Sequence, residues 1–527
     1  MNVSHRNWWL GLFAVLLIAL GGRILLLASG SVSFHSDEAV VGLMARHILD
    51  GERPTFFYGQ AYMGSLDAWI IALAFTLFGE SVQSIRIAQS ALYLLIVAVT
   101  YACAWRLSAR LTVAVVAALL TAVSPVLLAL YSTATLGGYN ETLLLGALVI
   151  LLGYDVCYEH PRSWWRWLLL GLCAGIGWWV NGLILIYALP VAAMVLLRAF
   201  KAFPYFLLAL AGFLIGAAPW WLFALQNDFA PIYFYIGAPA RAGFAGTEAV
   251  ALPVGERLIG LFFFGTPALL GLRFPWSAAY FAPILGLIVI VLFLIAVIRI
   301  IRRPMLYDGR PALKPGARAL LLGMIGLFVV VFLISRFSGD PTGRYFLPLT
   351  LPLFILFGAL IAAIRRRVIQ VVLCAVVIGY FAAGQIAAAS RYHGMTTQFD
   401  LATHIPNDDD AALIAFLREN DLRRGYSHYW VTFRLAFLSD EELQFSAALP
   451  YKLNMSYTPL DNRYPLYQQA ADAAERIAYI TANNPALDEA LRAAFTAAGV
   501  TWQTEQIGAY TVYYDFAPAE NVPRPPL

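Results

Sequence analysis

Charge is scarce in this chain. Asp, Glu, Lys and Arg make up only 13% of the 527 residues, hydrophobic residues make up 61%, and the mean hydropathy is +0.72. Soluble domains carry about 25% charged residues, so this composition excludes a soluble enzyme and reads as a polytopic membrane protein. Cysteine is scarcer still. Cys103, Cys157, Cys173 and Cys374 all lie in or beside apolar segments, where they read as small buried side chains and give neither a disulfide framework nor a metal site. No CxxC or HExxH spacing occurs, and no repeat of fixed period is visible. The net charge of +4 is small, and its distribution says more than its size.

What the chain has in quantity is apolar runs of roughly twenty residues. They fall near Trp8 to Ala28, Ile85 to Trp105, Leu111 to Leu130, Thr142 to Cys157, Trp165 to Trp179, Gly182 to Leu197, Phe203 to Leu225, Tyr280 to Ile301, Ala319 to Ile334, Tyr345 to Ile364 and Val368 to Ala389. That predicts about eleven transmembrane helices. The first run is long for a signal peptide and no small-residue cleavage site follows, so it reads as a span. Arg106 and Arg110, Arg162 and Arg166, Arg198 and Lys201, the cluster Arg299, Arg302, Arg303, Arg310, Lys314 and Arg318, and Arg365 to Arg367 occupy alternate loops. All five loops fall on the cytoplasmic side if the N-terminus does. Their charge belongs to topology and anionic lipid, not to nucleic acid.

The opposite, outer face then receives Ser29 to Ser84, Gln226 to Ala279 and everything after Ser390. Within the first of these, Ala39 to Leu49 and Leu66 to Phe78 read as helices lying in the interface, with a turn-rich aromatic loop between them. Leu252 to Leu272, with Pro253, Glu256 and Arg257, reads as partly re-entrant or interfacial. From about Asp400 the chain turns polar. Helix-like stretches at Asp410 to Asn420, Ala470 to Ala478 and Pro485 to Ala498, and strand-like ones at Tyr426 to Val431, Ile477 to Thr481 and Tyr510 to Phe516, predict a small α/β domain. The expected divisions are a membrane domain over 1–390, an extracytoplasmic α/β domain over 391–516 and a Pro-rich tail over 517–527.

Several polar residues on the outer face carry chemistry. Asp37 and Glu38 follow the first span at once. Ser36 or Asp37 would cap the next helix, and acids suit its positive end; equally, one carboxylate would take a proton from an acceptor hydroxyl. In the short loop Ser335 to Tyr345, Arg336 and Arg344 either snorkel to headgroups or hold a lipid phosphate through forked hydrogen bonds. Glu141, after Gly137 and Gly138, is either an acid at a helix N-terminus or part of a substrate contact. Trp178 and Trp179 are interfacial anchors or sugar platforms. His35 and His393 read as loop residues.

The order of first span, Asp37-Glu38, interfacial helix, Gly51 turn, aromatic loop with Tyr58 and Tyr62, second interfacial helix ending Phe78-Gly79, and Arg86 opening the next span resembles the GT-C glycosyltransferases. The pattern is closest to the branch of protein O-mannosyltransferases, aminoarabinose transferases and bacterial lipopolysaccharide-core transferases. The Arg344-Tyr345-Phe-Leu-Pro-Leu motif resembles that group's arginine before its closing spans. The resemblance implies an inverting transferase that moves a sugar from a polyprenyl-phosphate donor to a glycolipid, polysaccharide or protein acceptor. It implies Asp37 as base and Glu38 as its support. Arg344, with Arg336 and Arg86, would bind the donor phosphate; Glu141, Tyr58, Tyr62 and Trp178 would meet acceptor or sugar. It leaves a divalent metal undecided, since some relatives bind one, and it implies a bacterial cell membrane. The fold expected is a polytopic α-helical membrane protein of GT-C type plus the C-terminal α/β domain. The competing readings are a lipid or glycan transporter or flippase, which predicts inverted repeats and charge at the bilayer midplane, and a glycan-binding scaffold without catalysis.

Overall fold

The computed structural model describes residues 5–235, 252–302, 305–306, 309–399, 404–405, 407–452 and 454–525, with the side chains of 201, 336 and 337 left out. Of the charges used above, Arg303 and the side chains of Lys201 and Arg336 lie outside the described residues. The chain divides into two compact units. One comprises Met1–Val32, Arg86–Phe223 and Val250–Phe399; the other comprises Ser33–Ile85, Ala224–Ala249 and Asp400–Leu527.

The first unit is helical. Hydrocarbon offers backbone groups no hydrogen bonds, so a crossing segment must satisfy its own, and a helix of about twenty residues does so. Seven described helices are long and apolar enough: His5–Ala28, Val82–Ser108, Tyr139–Glu159, Pro283–Arg302, Ala317–Ile334, Arg344–Ala362 and Arg367–Ala388. Their outward surfaces are greasy. Phe13, Leu17, Leu25, Ile284, Leu287 and Val371 are all exposed, which water would not tolerate on this scale. The chain is an integral membrane protein.

The other expected spans are helical but shorter or broken, so the count of eleven is not reached by length and apolarity. The run from Leu111 divides into Leu111–Ala122 and Val126–Tyr131. Pro125 lacks an N–H and pushes Ser124 out of the helical region, which ends the first piece. Phe203–Gly216 and Ala218–Gln226 form a pair bent by 61°, with Pro219 just inside the second helix. Leu252 to Leu272 forms one short helical stretch, Val254–Ile259 continuing through a π turn to Leu269.

Two glycine pairs draw helices of this unit together. Gly171 and Gly175 of Trp164–Val180 face Gly212 and Gly216 of Phe203–Gly216. A Cβ at Gly171 would lie 1.8 Å from the Ala209 carbonyl oxygen, and one at Gly212 would lie 2.2 Å from that of Leu168. The two backbones touch, as small-xxx-small helix pairs do.

The second unit contains a five-stranded sheet. Its strands are β1 (Arg424–His428), β2 (Gln444–Leu449), β3 (Ala478–Ala482), β4 (Thr501–Ile507) and β5 (Tyr510–Ala517), in the order β2-β1-β3-β5-β4. β1 pairs parallel with β2 and β3, and β5 pairs antiparallel with β3 and β4. One face is covered through Leu413, Leu417, Val431 and Leu435, the other through Leu487, Leu491 and Phe495. The expected strand Tyr426 to Val431 stops at His428, where the helix Tyr429–Leu438 begins. That helix is buried on nearly every side except at Trp430 and Leu438, so it shows no amphipathic period to read. The expected helix Ala470 to Ala478 instead runs Pro465–Ala473, with proline at its first position, and Ala478 opens β3. Strands β2 and β4 were not anticipated; β4 is an exposed edge with mostly polar residues.

Both expected helices of the first outer loop form in this unit, as Ser36–Leu49 and Leu66–Phe78. Ser36–Leu49 is buried except at Asp37, Arg46 and Leu49. Gly42 lets it approach Tyr429–Leu438: a Cβ there would lie 2.5 Å from the Phe437 ring.

Gly175→Ala and Gly212→Ala should each cost about 1–3 kcal/mol through overpacking, read as earlier thermal unfolding in detergent. Gly21→Ala, whose Cβ would meet nothing within 4 Å, should leave the transition in place.

Candidate functional site

The helix Ser36–Leu49 decides what Asp37 is free to do. Its N-cap is His35, in extended conformation, whose Nδ1 accepts the Glu38 N–H at 3.4 Å. Ser36 Oγ instead donates to the Tyr429 carbonyl oxygen at 2.6 Å. Neither Ser36 nor Asp37 is the cap, so the Asp37 carboxylate is not spent on the helix end. Its negative charge still lies in the first turn, where the exposed N–H groups favour it. Asp37 is half-buried, whereas Glu38 is wholly buried. Solvent therefore has access to the first acid and not to the second.

The Tyr429 hydroxyl donates to Asp37 Oδ1. Beside it lies Arg463, 8% exposed, with its guanidinium 5.1 Å from the centre of the Tyr429 ring and 5.7 Å from that of Phe57. The Gln60 side-chain amide faces both terminal nitrogens of Arg463 at 2.8 Å each, and accepts from them when its oxygen is assigned to that side. Burial alone would weaken this arginine's charge, but Tyr429, Asp37 and Asp461 outweigh it and raise its pKa. Asp461 is itself buried, which pushes its carboxyl up to about 6 despite Arg463 and Lys452, with the Asp37 charge adding to the rise. Three of these residues, Tyr429, Arg463 and Asp461, were missed in the sequence, because they lie about 390 or more positions away from Asp37 and belong to no short motif.

A second polar cluster in the same unit absorbs Tyr58. His47 Nε2 lies 3.0 Å from Glu441 Oε1, and its Nδ1 is 2.8 Å from the Tyr58 hydroxyl. Tyr58 donates to Glu52 at 2.8 Å and stacks on Tyr464 with ring centres 5.0 Å apart. Although burial opposes the Glu441 charge, hydrogen bonds from His47, Tyr467 and Arg46 hold its carboxyl down at about 2. Tyr62 packs against Phe234 at 5.5 Å, and its carbonyl accepts from the Tyr235 hydroxyl at 3.0 Å.

In the membrane unit, the loop before Arg344–Ala362 is shaped by Asp340 and Gly343. Asp340 accepts from the Thr342 N–H at 2.8 Å, and Gly343 takes φ +84°. Arg344 then pairs with Asp340 at 2.6 Å, while its Nε is buried with no hydrogen-bond partner among the described residues. Arg273, wholly buried, fixes this loop by donating to the carbonyls of Pro341, Phe264, Phe274 and Ser277. Glu141 and Arg86 are both buried; Gln89 approaches Glu141 at 3.5 Å and also receives the Asn140 amide at 2.6 Å. Trp178 packs on Trp220 with centres 5.4 Å apart. His393 takes φ +48° and its N–H donates to Gly30. Inside the first span, Arg23 is buried over the Tyr93 ring at 3.6 Å and donates to Ala129, Ser132 and Thr133. Arg336 belongs to a short 3₁₀ turn, Arg336–Gly339, its side chain being outside the described residues. Thus Asp37, Glu38, Tyr58 and Tyr62 belong to one unit, and Arg344, Arg336, Arg86, Glu141 and Trp178 to the other. Among the described residues, no group of three or more His, Cys, Asp and Glu is placed to hold a metal ion.

Residues 65–223 match the family described as dolichyl-phosphate-mannose-protein mannosyltransferase. ArnT from Cupriavidus metallidurans, solved bound to undecaprenyl phosphate, is similar in fold with a TM-score of 0.63 at 13% identity, over 98% of this chain and 99% of that one. The archaeal oligosaccharyltransferase AglB from Archaeoglobus fulgidus, in complex with an inhibitory peptide and a dolichol-phosphate, gives 0.53 at 13% identity, over 91% and 70%. The arabinofuranosyltransferase AftD from Mycobacteria gives 0.52 at 14% identity, over 98% of this chain and 40% of that one. A search of curated proteins finds no match. The chain shares the fold of these solved structures.

The two perturbed carboxyls of the second unit predict opposite pH behaviour. Asp461, raised from 3.8 to about 6, keeps its proton longer when folded, so stability falls as pH rises between those values. Asp461→Asn should therefore gain on the parent protein, by about 3 kcal/mol at pH 8 and little at pH 4. Glu441, lowered from 4.5 to about 2, contributes stability above its unfolded value that is lost as pH falls through about 2. Glu441→Gln should be destabilising at pH 7, and melting curves across this pH range in detergent check both signs.

Proposed function

We propose that this protein is a polyprenyl-phosphate-dependent glycosyltransferase that moves a sugar, with inversion, to a glycolipid, polysaccharide or protein acceptor on the outer face of a bacterial cell membrane. The observation that carries this reading is Asp37: a half-exposed carboxylate relieved of capping by His35 and gripped through one oxygen by Tyr429, in a chain of GT-C fold. With Oδ1 occupied, Oδ2 is the oxygen left to accept a proton from an incoming hydroxyl as it attacks the sugar's anomeric carbon. Glu38, buried next to it, would support it from within the first turn of the helix.

The departing lipid phosphate develops charge as the glycosidic bond breaks, and a fixed guanidinium stabilises it. Arg344 suits that role because its Nε is buried with no hydrogen-bond partner among the described residues, a state that costs free energy until an anion arrives, while Asp340 holds another of its nitrogens. Arg86 and Arg336 would assist at the phosphate, and Tyr58, Tyr62, Trp178 and Glu141 would contact sugar or acceptor. A tail that stays in hydrocarbon obliges the reacting groups to stand at helix ends, which is where Asp37 and Arg344 stand in sequence. In this reading the N-terminus is cytoplasmic and the α/β domain extracytoplasmic.

The test is transfer in vesicles containing the purified protein and undecaprenyl-phosphate-linked sugars, paired with mass spectrometry of surface glycans from cells carrying each variant. Asp37→Asn should reduce transfer by about 10²–10⁴-fold while the protein remains folded in the membrane; normal transfer would refute the base. Arg344→Ala should weaken dependence on the donor more than on the acceptor, and an unaltered donor dependence would remove its phosphate role.

A further inference from the structure

The Asp37 carboxylate is held by residues that lie far along the chain. Tyr429 is 3% exposed and makes two contacts with the start of the helix Ser36–Leu49: its carbonyl receives Ser36 Oγ, and its hydroxyl donates to Asp37 Oδ1. One contact fixes the backbone next to the acid and the other fixes the acid itself. A single tyrosine thus sets both the position and the rotation of the carboxylate.

The tyrosine is in turn held by Arg463. The guanidinium lies over its ring, a second ring, Phe57, flanks it, and Gln60 takes both terminal nitrogens. Gln60 and Phe57 come from the aromatic loop that follows the Asp37 helix, so the arginine is anchored to the same segment whose acid it serves. Its Nε is buried without a hydrogen-bond partner among the described residues. An arginine kept this dry is expensive unless negative charge compensates it. The charged and titratable groups around it are Asp37, Asp461, Tyr429, Lys452 and Tyr451. Only the two carboxylates supply negative charge at neutral pH, and Asp461 gives it up near pH 6.

We propose that Tyr429 and Arg463 are positioning residues for Asp37, the tyrosine by hydrogen-bonding one carboxylate oxygen and the arginine by fixing the tyrosine and favouring the ionised acid, so that the C-terminal segment supplies part of the catalytic machinery. This rests on Asp37 as the base. Neither residue touches the reacting atoms; both act through the carboxylate, whose Oδ1 the tyrosine holds.

The test needs no knowledge of the sugar. A water-soluble carbodiimide with a small amine labels protonated carboxyls, and peptide mass spectrometry of the full chain in lipid nanodiscs reads the rate at Asp37 across pH. Loss of a hydrogen bond or cation that favours the carboxylate increases the protonated fraction. Tyr429→Phe and Arg463→Gln should each speed labelling of Asp37 by about fivefold near neutral pH, with the rate profile displaced to higher pH. Arg463→Lys should restore most of the parental rate. Glu441, held by His47, Tyr467 and Arg46 in the same unit, is the internal control. A parallel rise at Glu441 means the substitution has opened the unit and overturns the proposal, as does an unchanged rate at Asp37. The base assignment fails separately, through transfer by Asp37→Asn.

Discussion

Hydrocarbon solvates neither charge nor backbone, and every part of this molecule that lies in the membrane unit answers to that. The unit meets it with long helices whose outward residues are Leu, Ile, Val and Phe, and with buried arginines, Arg23 and Arg273, that are multiply bonded. Arg23 sits within the first span only because Tyr93 lies under its guanidinium and Ala129, Ser132 and Thr133 receive its N–H groups. Arg273 is wholly buried, and four backbone carbonyls surround it. These arginines are cross-links: one ties the first span to the broken helix ending at Tyr131, the other ties the 264–277 stretch to the loop bearing Arg344. Breaks in the helices follow the same constraint. Carbonyls freed at Pro125 and around Ala217 need partners, and Tyr93 meets part of that need by donating to the Thr121 and Ala122 carbonyls.

In the second unit buried ions come in compensated groups. Glu441 is satisfied by a histidine, a tyrosine and an arginine, and its carboxyl stays ionised to about pH 2. Asp461 has one strong neighbour and little water, and its carboxyl titrates near 6. Asp461 is the more deeply buried of the two and Glu441 the more fully hydrogen-bonded, which is why their shifts have opposite sign. Asp37 stands beside the second of these groups but keeps its exposure, so the same cluster that restrains it leaves one oxygen open.

Much of this was legible in the sequence, and the parts that were not share a cause. The apolar runs near Trp8, Ile85, Tyr280, Ala319, Tyr345 and Val368 each become one long helix, because about twenty mostly apolar residues have no other way to meet hydrocarbon. Composition is blind to breaks whose consequence depends on packing, as at Ala217, and to glycines whose use is a helix contact, as at Gly171 and Gly212. In the α/β domain, the helix Tyr429–Leu438 escaped because burial on nearly every side erased its period, and the edge strand β4 because exposure on both faces left no apolar alternation. The acid pair at Asp37 and Glu38 was visible; its environment was not, since Tyr429 and Arg463 reach it only through the fold.

The cap at His35 shows how a single residue separates structure from chemistry at this helix. A serine followed by two acids ordinarily has its hydroxyl or first carboxylate turned back onto the N–H groups of the first turn. Such a cap would occupy the acid with a bond it could not release without fraying the helix. Here an imidazole nitrogen performs that task and Ser36 is turned to the Tyr429 carbonyl. The acid is then left with the favourable field of the helix N-terminus, worth roughly 0.3–1 kcal/mol near a surface, and one hydrogen bond from Tyr429. Both favour the carboxylate, and the hydrogen bond engages only Oδ1. Helix start, histidine cap and distant tyrosine thus act together: the local structure that makes Asp37 look like a cap in sequence is what frees it from being one.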